Sequence, residues 1–133
     1  PFNSRFPDTS NILQAISAEL NTDDPTFNWF NVANSCREAL KKFSSELLNA
    51  FQVSLDSNTK SGDVKAILKS FVLQHYSTGR FSETLLELIQ SVWNHTQSIL
   101  HRDSTTKEEA VRCFVWTSLL VLELGILVSQ DQP

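Results

Sequence analysis

Methionine is missing from these 133 residues, glycine occurs three times, and proline stands only at positions 1, 7, 25 and 133. With no proline between 26 and 132 and so little glycine, the chain has few obligatory breaks, which disfavours a turn-rich all-β fold and favours helices. Because Met is absent even from position 1, we expect a piece cut from a longer protein or a processed product. Cysteine is scarce too. Cys36 and Cys113 match no metal-ligand spacing and no Cys-x-x-Cys pattern, so a thiol-rich metal site and a disulfide-dense scaffold are excluded. We read both as free buried thiols, with one long-range disulfide in a secreted bundle as the alternative. A reducing compartment, cytoplasm or nucleus, is the corresponding expectation.

Positive charge is also in short supply. The net charge is −4, and Arg37, Lys41, Lys42 and Lys65, Lys69 each occupy one turn of a helix face. Binding to nucleic acid needs a basic surface to neutralise phosphates, so no nucleic-acid partner is expected. No glycine-rich phosphate loop and no nucleophile elbow occurs. His95 and His101 are six apart and share no helical face, and neither they nor His75 form a Glu-x-x-His pair with Glu83 or Glu87. No metal, cofactor or catalytic residue is expected, and the chain is read as not an enzyme. Asn34-Ser35-Cys36 and Asn94-His95-Thr96 fit glycosylation acceptors only nominally, since both lie within predicted helices.

What the chain does have is apolar residues at helical spacing; 41% of it is hydrophobic. The length suits one domain with one substantial core. Residues 1–8 read as an extended N-terminal arm carrying Phe2 and Phe6, residues 9–130 as a helical bundle, and 131–133 as a tail. A first helix is predicted over about 9–20. Asp24-Pro25 then gives a start signal for a long second helix to about Leu55, with Ala33, Cys36, Leu40, Phe43, Leu47 and Phe51 on one stripe. Residues 56–63 are the most turn-like. A third helix follows with Val64, Ile67, Leu68, Phe71 and Val72 inward, ending near Gly79. Ser82 caps the fourth, whose stripe runs Leu85, Leu88, Ile89, Val92, Trp93, Ile99.

Thr105-x-x-Glu108 matches a capping box for the fifth helix. Its stretch from Cys113 to Val128 is the most apolar of the chain. Ten uncharged residues, Cys113 to Leu122, precede Glu123, fewer than the ~20 that cross a bilayer, so a core helix rather than a membrane span is expected. Because it is apolar on nearly every side, we expect it at the centre with the other helices wrapped around it. The fold class is therefore all-α: a single-domain bundle of about five helices with an apolar central C-terminal helix.

Nine Phe and three Trp are many for this length. Phe27, Trp29 and Phe30 cannot all face one core from four consecutive helical positions, so at least one should be exposed or covered by Phe2 and Phe6 of the arm. These five residues, Phe2, Phe6, Phe27, Trp29 and Phe30, are the candidate partner-binding set, because exposed aromatics in an apolar patch serve as binding anchors.

An apolar central helix wrapped by amphipathic ones in a chain of this size resembles the Bcl-2 family in architecture. That resemblance implies a surface groove holding a partner's amphipathic helix. The family's Asn-Trp-Gly-Arg signature is absent, since Asn28-Trp29-Phe30-Asn31 stands too early and lacks Gly-Arg; residues 47–56 also lack the expected Gly-Asp. No residue correspondence is assigned. The function expected from the sequence is a non-catalytic protein–protein interaction domain, adaptor or scaffold, of a larger protein, binding another protein or a peptide helix. A Bcl-2-like groove protein and a secreted helical-bundle ligand are the alternatives, and a homodimer is a further arrangement.

Overall fold

The computed structural model describes residues 2–51, 53–60, 62–75 and 80–130, and all their regular structure is helical. In chain order the helices are α1 (Phe2–Arg5), α2 (Pro7–Glu19), α3 (Phe30–Ala50), α4 (Val64–His75), α5 (Arg80–Leu100) and α6 (Lys107–Gln130). The last five answer to the five predicted; α1 is an additional single turn. The predicted stop at Gly79 and the tail 131–133 lie outside the described residues.

The N-terminus departs from an extended arm. Residues 2–5 form a helical turn, and α2 begins at Pro7, whose fixed φ suits the first helical position. Phe6, the residue just before α2, is buried at 1% exposure among the largest core side chains. Its ring lies 4.9 Å from Phe43 and 5.1 Å from Phe2. Free backbone N–H groups at the start of α2 meet a carboxylate from α3. Glu46 accepts from the amides of Asp8 and Thr9 at 3.2 and 2.9 Å and from the Thr9 hydroxyl at 2.6 Å. A negative charge at the positive end of a helix is favourable there, and these orphan donors need a partner.

The second predicted helix starts later and ends earlier than the sequence pattern suggests. Asp24 folds its carboxylate onto Thr26, accepting from its amide at 2.9 Å and its hydroxyl at 2.7 Å. This local turn competes with helix and holds the Asp24 carboxyl below its ordinary pKa. Asn28 likewise accepts from the Phe30 amide at 3.1 Å, where α3 begins. At the other end Phe51 is extended, and the Gln74 side chain then brackets Ser54. It donates to the Ser54 carbonyl at 3.0 Å and accepts from its amide at 3.2 Å, tying the connecting segment to α4.

The α6 cap also shifts by one residue. Thr106, not Thr105, precedes the helix and accepts from the Glu109 amide at 3.2 Å. Thr105 and Arg102 instead donate to the Glu109 carboxylate, at 2.8 and 2.6 Å.

Two apolar clusters fill the bundle. The larger joins Phe6, Leu40, Phe43 and Leu47 to Leu68, Phe71, Ile89, Leu120 and Leu124, so that α3, α4, α5 and α6 meet there. The smaller lies towards the start of α6 and contains Ile16, Val32, Cys36, Ile99, Ala110 and Cys113. Helix α6 packs on α3 and α5, but it is not enclosed on every side.

Candidate functional site

Helix α6 has two apolar faces, and only one is inside. Leu120, Val121, Leu124 and Val128 are fully buried, and Cys113 nearly so. On the opposite side Val115, Leu119, Leu122 and Ile126 are 52, 45, 52 and 50% exposed, with Trp116 beside them at 37%. The four aliphatic residues are spaced 4, 3 and 4 apart, so at 1.5 Å rise they form a straight row about 16 Å long. The same spacing makes the seam of a helix pair, where apolar residues of one helix enter the gaps of another. Here the row stands about half exposed, on the side of α6 away from its fully buried residues.

Both flanks of the row are concave. Between α5 and α6 runs a groove of about 440 Å³ whose walls include Phe81, Leu88, Leu119, Glu87 and Glu123. Phe81 is 51% exposed. Among the described residues lining this groove, the charged ones are both carboxylates, Glu87 and Glu123. On the other flank Phe2 and Leu13, from α1 and α2, face Leu122 across a shallower depression of about 240 Å³. Gly125 makes this approach feasible: a Cβ there would stand 3.1 Å from the Phe2 ring. A third depression, of about 440 Å³, lies at the start of the row, lined by Lys107, Val111, Arg112, Val115 and Trp116.

The structure splits the five aromatics singled out by sequence. Phe6 belongs to the core and presents no surface. Phe2 is half-buried over it and reaches the groove beside Leu122. Phe27, Trp29 and Phe30 are half-buried at the opposite end of the bundle, so the arm does not cover them. Phe27 and Trp29 pack edge to face at 4.7 Å against the smaller cluster. Lys107 places its ammonium 5.5 Å from the Trp29 ring centre, which sets that pair beside the first turn of α6.

The outward row itself was missed. The sequence signal for it was the spread of apolar positions all around α6. Lys107–Val128 is long and apolar enough to cross a membrane by length and composition; 39% of its most apolar window is buried in the fold. Among the described residues, no group of three or more His, Cys, Asp or Glu is gathered as metal ligands would be.

No known protein-family model, curated protein or solved structure matches this chain.

Proposed function

We propose that this chain is a non-catalytic protein–protein interaction domain that docks an amphipathic partner helix along the outward face of α6. The observation carrying this reading is the exposed row Val115, Leu119, Leu122, Ile126 between two grooves. With its side chains about half exposed, the row and Trp116 present on the order of 400 Å², a size found at functional patches. At ~25 cal/mol per Å², its burial would contribute about 10 kcal/mol, comparable to the ~4–15 kcal/mol lost in association. The row alone is marginal, so the flanking grooves must take part.

Charge defines the partner further. Glu87 and Glu123 are the charged residues among the described lining of the α5–α6 groove. A helix with an apolar edge flanked by Lys or Arg complements that rim. A second copy of α6 would bring its own Glu123, and an anionic lipid surface would meet the same carboxylates, so both are less suited.

The test uses a synthetic peptide with leucine at heptad spacing and lysine on the flanks, beside a glutamate-flanked version, titrated by calorimetry. The basic peptide should bind at micromolar concentration and at least tenfold more tightly than the acidic one. Leu119→Lys with Leu122→Lys, both at exposed positions, should keep the helical circular dichroism and reduce binding more than tenfold. Equal affinity for both peptides would overturn the reading. So would concentration-dependent dimerisation abolished by the same double variant, or binding to anionic vesicles in place of peptide.

A further inference from the structure

The two cysteines, far apart in the chain, meet in the smaller cluster. Cys36 on α3 and Cys113 on α6 are both free thiols, exposed by 0 and 1%. Both belong to the same buried cluster, and the two side chains interact there. The Thr96 hydroxyl of α5 stands 3.5 Å from the Cys113 sulfur while donating to the Val92 carbonyl at 3.0 Å. Thr117, one turn beyond Cys113 and fully buried, lies beside the same sulfurs, its hydroxyl lacking a well-formed hydrogen bond. Two hydroxyls and a second thiol around one sulfur make a polar pocket within aliphatic surroundings. Packing alone would have been served by alanine or valine.

We propose that Cys36 and Cys113 are an oxidisable dithiol, which a small peroxide converts into an intrachain disulfide fastening α3 to α6. Cys113 is the attacking sulfur. Of the two thiols it is the one whose pKa is held down, by its interaction with Cys36 and against the effect of burial. Cys36 is pushed up, by its interaction with Cys113 and by burial, and keeps its proton.

The Cys113 thiolate attacks one peroxide oxygen. A sulfur–oxygen bond forms and the oxygen–oxygen bond breaks; hydroxide leaves and takes up the proton shed by the thiol, giving water. The Cys36 sulfur then attacks the sulfenic sulfur. A sulfur–sulfur bond forms, the sulfur–oxygen bond breaks, and a second water leaves carrying the Cys36 proton. Two thiols lose two electrons and two protons, and one peroxide becomes two waters.

Burial sets the class of oxidant. A molecule the size of hydrogen peroxide can pass through local openings, whereas a bulky aromatic disulfide cannot reach the sulfurs in the folded chain.

The test is to incubate the reduced whole chain with hydrogen peroxide, quench it, denature it in iodoacetamide and weigh it. The expected product is about 2 Da lighter, accepts no alkyl group, and yields a linked Cys36–Cys113 peptide. Its Tm should exceed that of the reduced form by several degrees, because the cross-link restricts the unfolded chain. Cys36→Ala, which removes both the second thiol and the neighbour that holds Cys113 low, should react more slowly and stop at a sulfenic acid about 16 Da heavier at Cys113, trapped by dimedone. Three results would overturn the proposal: two alkylatable thiols surviving peroxide, linkage between chains rather than within one, or direct passage to sulfinic acid with Cys36 intact.

Discussion

The His95 ring packs against the Trp116 indole with centroids 4.6 Å apart, joining α5 to the edge of the exposed row on α6. Its Nδ1 is buried without a hydrogen-bond partner. Burial, then the nearby Arg102 charge, hold the His95 pKa below 6.5, outweighing the opposing pull of Glu109. The folded state therefore prefers the neutral ring, whereas the unfolded chain takes a proton near its ordinary value. Stability from this group is complete above pH 6.5 and declines as pH falls from there towards the lower folded-state pKa. Urea midpoints at about pH 7.5 and 5.5 should differ more for the wild type than for His95→Gln, and Trp116 fluorescence of the folded protein should change only at lower pH, as His95 takes its proton in the fold.

Glu46 joins α3 to α2 through three hydrogen bonds, two of them to otherwise unpaired amides. Glu46→Ala should lower the unfolding free energy by about 1–3 kcal/mol, measured by chemical denaturation, since it leaves charged-acceptor bonds unmade at a helix start. Glu46→Gln retains an acceptor and should fall between the two.

The two faces of α6 should respond oppositely to truncation. Leu120→Ala or Leu124→Ala empties a fully buried site and should cost about 2–5 kcal/mol. Leu122→Ala, at a position 52% exposed, should shift stability by no more than about 0.5 kcal/mol. Denaturation of the three variants side by side checks whether the outward row is surface rather than core.

At the start of α6, Thr106→Ala removes the hydroxyl that accepts from the Glu109 amide. A loss of about 1 kcal/mol is expected. Thr105→Ala leaves this cap in place and should instead let the Glu109 pKa rise towards 4.5, because the Thr105 hydrogen bond is the first cause of its depression, ahead of the one from Arg102. Carboxylate titration by NMR distinguishes the two threonines.

Helix periodicity made much of this fold readable. Val64, Ile67, Leu68, Phe71 and Val72 are inward in the structure as their spacing requires, and α4 starts where they do. The misread ends have local causes. Asp24 and Asn28 offer the backbone side-chain partners that delay α3, and Pro7 starts a helix where two phenylalanines suggested an extended arm. Thr105 and Thr106 fit a cap about equally well by composition, and only the position of Glu109 decides between them.

The surface on α6 was illegible for another reason. A helix apolar all round does not state which side its neighbours cover; that follows from how α3 and α5 pack on it. The meeting of Cys36 with Cys113 is likewise tertiary, since no periodicity relates α3 to α6. Phe2, Phe6, Phe27 and Trp29 were conspicuous as aromatics, yet their division between two clusters depends on where the turn at 24–29 directs the chain.

The seating of Phe2 over Gly125 has a practical bearing on how the molecule could be joined to others. A peptide spliced ahead of residue 2 would emerge beside Leu122, within a few residues' reach of the outward row. Even a weakly complementary tether would then be present at millimolar effective concentration and could occupy the row by proximity alone. A label or fusion at that end is an intramolecular competitor, whereas one inserted among residues 56–60 would leave the row free.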